Sequence, residues 1–235
     1  MTRRGRFWLI LAGIAAAILF LPLRFALAIA GPDDERIAAR AAGGTIWDGR
    51  LEQVRAGALD LGSFDVALRP LPLFLGRASI AIDRPATAAD RGLTGIVESG
   101  IGRTAIRSMT GSIMGGMIDS LMIERVDLAD ATVVFADGAC REAAGQVTLV
   151  PALNLAGLGL ANGLTGPLSC DGRQLAMTLA GQSGMERLVM TVDAEGNYVA
   201  RLHIRATDPM LGAALSAAGF GPTAEGFTRT MRGRL

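Results

Sequence analysis

The sequence predicts a mainly β chain: one N-terminal transmembrane helix, then a largely antiparallel, curved β-sheet domain with two short helices. Three observations carry that expectation. Residues 7–23, FWLILAGIAAAILFLPL, form an apolar run without a charge. Beyond it the hydrophobic period becomes two, as in RLVMTV (187–192), where Leu188, Met190 and Val192 share one face. Glycine-containing turn signals punctuate these alternating stretches, as in DAEG (193–196).

The leading segment sets the domain division. Residues 1–6 are a polar tail carrying Arg3, Arg4 and Arg6, and residues 7–30 are the membrane anchor. Seventeen uncharged residues lie at the short end of the transmembrane range. Letting Arg24 snorkel extends the apolar run to Ala30. The arginines ahead of the span place the N-terminus in the cytoplasm and the body beyond its outer side. A cleavable signal peptide is the competing reading, because ALAIAG offers small residues at A-x-A spacing. The long apolar run, and Arg24–Phe25 at the would-be c-region, favour the uncleaved anchor. Residues 31–43 read as a short helical linker, capped by Asp33 or Asp34 and stopped by Gly43–Gly44.

The β domain spans 44–235. Leu59 and Leu61 alternate with polar or small neighbours, then Phe64, Val66 and Leu68 continue with opposite parity. That slip at Gly62–Ser63 predicts a tight turn or a bulge. PLPLFLG (70–76) reads as a Pro-broken connector, and RASIAIDRP as a strand with Ile80 and Ile82 on one face. Residues 84–110 are expected to be irregular, with one weak strand. Residues 44–70 align without a gap on 111–137, sharing glycines and the parity slip at Ala129–Asp130, which suggests an internal repeat. The last third alternates clearly, with Tyr198, Ala200, Leu202 and Ile204 against Val199, Arg201, His203 and Arg205. Asp208–Pro209 opens a helix with Met210, Leu211, Ala214, Leu215 and Ala218 on its apolar face, and a final strand runs through GFTRTMRGRL.

Chemistry is scarce. The net charge of +1 argues against a nucleic-acid partner. The single histidine, His203, sits at an outward strand position between two arginines and reads as solvated. GIVESGIG (95–102) lacks the Lys-Ser/Thr of a phosphate-binding loop and reads as turns. Asp60 and Asp127 could form an acid/base pair but occupy matching repeat positions, which favours edge or turn roles. No catalytic, metal or cofactor-binding residue is therefore assigned, no cofactor is expected and no small-molecule substrate. Cys140 and Cys170 are an even count in an exported body, so a disulfide closing a loop of about 30 residues is expected, against two buried thiols. The methionines Met109, Met114, Met117 and Met122 read as core filling or as an adaptable contact surface. Trp47 either plugs the sheet end nearest the membrane helix or offers a surface to protein or lipid. Trp47, Met114 and Met117 are the candidate interaction residues; Arg3, Arg4, Arg6 and Arg24 flank the anchor.

The order of these features carries a resemblance. A short basic N-terminus, one apolar span, GTIWDG (44–49), LRPLPLFLG (68–76), CREAAGQV (140–147), LTGPLSCDGRQL (164–175) and a closing helix resemble the bacterial type II secretion system protein N family. The resemblance covers nearly the whole chain, with 84–110 matching least. It implies a single-pass inner-membrane component whose β domain lies in the periplasm. There it would assist export of folded proteins by contacting other secretion subunits, without an active site to carry over. The repeated glycine-flanked units also look like AsmA-type proteins, which implies the alternative of a lipid-handling groove.

Overall fold

A computed structural model of the chain describes residues 13, 20–25, 37–56, 59–87, 91–115, 117–118, 121–152, 162–206 and 208–234. Most of the expected anchor at 7–30, with Arg3, Arg4 and Arg6, lies outside the described residues. No helix among the described residues is long and apolar enough to cross a membrane.

The described strands form one antiparallel sheet, and the chain meanders across it. They are β1 (Ile37–Ala38), β2 (Ala41–Gly44), β3 (Gly49–Ala56), β4 (Leu59–Leu68), β5 (Arg77–Arg84), β6 (Leu93–Gly100), β7 (Arg103–Met114) and β8 (Met117–Ile118). They continue as β9 (Leu121–Ala136), β10 (Ala139–Pro151), β11 (Leu164–Asp171), β12 (Gln174–Ala180), β13 (Glu186–Val192), β14 (Asn197–Ile204), β15 (Gly221–Thr223) and β16 (Gly226–Arg234). The order is β1-β3-β4-β5-β6-β7-β9-β10-β11-β12-β13-β14-β16-β15, with β2 also on β3 and β8 on β9. Two short helices interrupt it, α1 (Pro70–Leu73) and α2 (Pro209–Ala217), and residues 23–25 add a helical turn.

A sheet this wide curls rather than staying open and flat, and bulges bend it. Gln53, Ser108 and Asp130 each adopt a φ of 49°. Each donates its amide to a hydroxyl on the next strand: Gln53 to Ser63 Oγ at 3.3 Å, Ser108 to Thr132 Oγ1 at 3.1 Å, and Asp130 to Thr110 Oγ1 at 3.0 Å. On β7 and β9 the two bulges are thus capped reciprocally, so the cost of the left-handed backbone is offset locally. Beside them Gly145 has a φ of 94°, and a Cβ there would lie 2.4 Å from the Asp130 carbonyl oxygen.

The concave face carries one continuous apolar cluster, from Leu23 and Ile46 at one end of the chain to Met231 at the other. Its tightest part is C-terminal, where Leu164, Leu179, Leu202, Ile204 and Leu215 are fully buried. Asp208 caps α2 by accepting from the Met210 amide at 2.9 Å, and Leu215 plugs the core from that helix. Arg84 also enters the interior. It donates to the Leu61 carbonyl at 3.0 Å and to the Ser112 carbonyl, with its guanidinium 5.8 Å from the Phe64 ring centroid. One side chain thereby ties β4 to β7 across the curve.

Four expectations need correction. The described part of the expected helix at 31–43 is strand, because β1 and β2 pair with β3 and supply its outer edge. Residues 84–110 hold two regular strands, β6 and most of β7. Bulges between Thr94 and Ile96 and at Ser108 reset the alternation and hide it from a period-two reading. On β5, Ser79 is buried and Ile80 is exposed, so the serine rather than the isoleucine faces inward at this point. The aligned segments 44–70 and 111–137 share a bulge near Gly62 and Ala129 but fold differently: the first makes the hairpin β3–β4, the second the end of β7, β8 and the long strand β9.

Candidate interaction surfaces

A meander puts alternate turns on opposite rims of the sheet. One rim holds the 45–48 turn, α1 with residues 74–76, and the turns at 101–102, 137–138, 172–173 and 193–196. The opposite rim holds residues 85–87, 91–92, 115, 117–118, 181–185 and α2.

The chain's leading segment is bound to the first rim. The Ile46 amide donates to the Leu21 carbonyl at 3.1 Å, and Pro22 bridges to Thr45. Ile46 in turn accepts from the Leu68 amide at 2.9 Å. Leu23 is buried against Gly49, where a Cβ would lie 2.7 Å from its Cδ2. Glycine is therefore needed at 49 for the apolar segment to seat. This first rim is the proximal one, and the other is distal. Trp47 lies in the proximal turn, half-buried, and packs against the apolar cluster. Arg24 is exposed, with its guanidinium 5.4 Å from the Phe25 ring centroid.

The other candidates sit at the distal rim. Met114 ends β7 and is exposed; Met117 belongs to β8, which pairs with the start of β9 at exposed Met122. Met185 and Met210 are exposed at the same rim, on the β12–β13 turn and α2. The structure therefore does not bring Trp47 together with Met114 and Met117. They are separated by the length of β7, 12 residues, or roughly 40 Å at about 3.3 Å per residue.

The distal turn 181–185 is braced by Glu186. Its side chain is fully buried, and Oε2 accepts from Ser183 Oγ. On the outer face near this rim lies a cleft of about 380 Å³ lined by Arg91, Arg125, Asp127, Gln146, Thr148 and Asn162. Arg125 Nε pairs with Asp127 at 3.1 Å, so Asp127 is an ion-pair residue on a strand. His203 is half-buried rather than solvated: its Nδ1 lies 3.0 Å from Thr228 Oγ1 on β16. Among the described residues no group of three His, Cys, Asp or Glu is placed to hold a metal ion.

Cys140 and Cys170 form a disulfide, with Cα atoms 5.6 Å apart. The β10–β11 ladder runs from Leu149↔Leu164 to Gln146↔Pro167, and proline has no amide to extend it. The bridge joins the two strands at the proximal rim, beyond the end of that ladder.

The family model of type II secretion system protein N matches residues 35–230, which takes in nearly the whole sheet. The chain belongs to that family. No curated protein and no solved structure matches it. Membership in the protein N family implies a role in type II secretion and an envelope location, and assigns the chain to protein transport.

What sequence reasoning missed is the apolar character of the proximal rim at α1. PLPLFLG was readable as apolar, but only the fold shows that its side chains turn outward.

Proposed function

We propose that this protein N is a non-catalytic, inner-membrane-anchored component of the secretion machinery that contacts other secretion subunits through its periplasmic sheet. The observation that carries this reading is the family match over 35–230, which covers the sheet rather than one motif. The disulfide supports placement on the oxidising side. With the apolar run ahead of Leu21 as a single span, the hydrogen bond from Ile46 to Leu21 holds the proximal rim at the bilayer. The distal rim, with Met114 and Met117, then points away from the membrane toward partners. Flexible thioether side chains suit a surface that must fit more than one neighbour. The sheet edges offer a second mode, strand addition, because β16 beyond Thr228 has no strand on its outer side among the described residues.

A lipid-handling groove is the other reading. It needs an apolar inner face left open for acyl chains. Here the described inner-face side chains pack on one another, and the cleft by Arg125 is lined mainly by polar groups, which favours the interaction role.

The test is secretion of a folded substrate from cells lacking this chain. Complementation by the wild-type chain is expected to restore export, and a Met114→Asp, Met122→Asp double variant to restore it less well at equal protein level. Normal export without the chain would count against a required role. Stoichiometric phospholipid extracted from the purified protein would favour the groove.

A further inference from the structure

Among the described residues, a large exposed apolar knob occupies one stretch of the proximal rim. α1 buries none of its residues, and Leu71, Phe74 and Leu75 are 78%, 87% and 72% exposed. Ile101, on the β6–β7 turn, is fully exposed and stands beside them, because a Cβ on Gly100 would lie 3.4 Å from the Gly76 carbonyl oxygen. The knob is pre-formed. Pro70 opens the turn, and the Leu75 and Gly76 amides donate to Pro72 and Leu73 carbonyls at 3.0 Å each. Presenting leucines and a phenylalanine to water on a prefolded turn is unfavourable unless something covers them.

We propose that this knob inserts into the interfacial layer of the bilayer, as a second membrane contact that fixes the tilt of the sheet. The proposal rests on the apolar run ahead of Leu21 being the anchor. Three observations point to lipid as the occupant. The apolar leading segment meets the sheet at this rim, through the hydrogen bond from Ile46 to Leu21, and Ile46 accepts from Leu68 two residues before α1. Arg69 and Arg77 flank the knob and are exposed, while residues 69–78 and 99–106 contain no carboxylate. Apolar side chains ringed by guanidinium groups fit acyl chains beneath anionic headgroups. Asp137 borders the knob, its amide donating to the Gly102 carbonyl at 2.8 Å, and beyond it the apolar character ends, with Asp171, Asp193 and Glu195 among arginines. The sheet therefore leans on the membrane at β4–β7 and lifts away from it at β12–β14.

The full chain, its native disulfide intact, is reconstituted into phosphatidylethanolamine–phosphatidylglycerol vesicles containing doxyl-labelled lipid. An environment-sensitive fluorophore is carried at Phe74→Cys, at Ile14→Cys in the anchor, or at Met122→Cys on the distal rim. Leu71→Cys serves as a second knob site should Phe74→Cys fail to fold. The knob label is expected to shift to the blue and lose emission to the doxyl lipid, with the Met122→Cys label unaffected. Quenching at Ile14→Cys without quenching at the knob would overturn the proposal while leaving the anchor, and would assign the knob to a protein partner. Quenching at neither would remove both. Quenching at the knob alone would reject the anchor, and with it the reading of the knob as a second contact.

Discussion

Asp193 shows how one residue organises a turn. Its carboxylate is held below the ordinary value of 3.8, first by the Asn197 side-chain amide, then by the backbone amides of Asn197 and Glu195 and by Arg234, with some opposition from desolvation. The contacts are 2.9 Å from Asn197 Nδ2, 2.8 Å from the Asn197 amide and 3.1 Å from the Glu195 amide. A depressed folded value means that the ionised form is the stabilising one. Its contribution is present above the ordinary carboxylate range and is lost as pH falls through the folded value, below 3.8. Asp193→Ala should therefore lower the urea midpoint near neutral pH, and the difference from wild type should shrink in strong acid. A difference that grew on acidification would contradict this sign. Burial sets a larger scale elsewhere. Leu179 is fully buried, whereas Val189 on the neighbouring strand is exposed on the outer face. Leu179→Ala should cost about 2–5 kcal/mol by denaturant melting, and Val189→Ala within about 0.5 kcal/mol.

Elements were legible in the sequence where the alternation is unbroken. Strands β13 and β14, their hairpin turn and the Asp208 cap of α2 lie where period and capping rules place them. The slips at Gly62–Ser63 and Ala129–Asp130 announced bulges, and the sheet is bulged at both. Residues 84–110 were illegible for the same cause: two bulges reverse which residues face inward. The same reasoning overestimated α2, where Met210 is exposed rather than part of the buried face. No local signal could show that residues 41–44 pair with β3, since AAGG has neither strand character nor alternation. The disulfide belongs to this scale. It joins β10 and β11 beyond the end of their ladder, and its loop of 30 residues is worth about 3–4 kcal/mol in the chain-entropy model. Replacing both cysteines by alanine should lower stability by about that amount. Hydrogen exchange should rise first at the 138 and 172–173 turns rather than at α2.

At the scale of the molecule, the sheet sorts its functions by rim. The proximal rim receives the apolar leader, half-buries Trp47 and exposes the α1 knob; the distal rim gathers methionines and a polar cleft. That polarity was invisible in the sequence, because Trp47 and Met114 gain their separation only from the meander. It yields the claim on which the account depends, that partners are met at the end away from the leader. The direct measurement is photocrosslinking in intact envelopes, with the probe at Met122 on the distal rim or at Val189 on the outer face as comparison. The account predicts an adduct with another secretion subunit from Met122 and none from Val189. Adducts from both positions alike, or from neither, would contradict it.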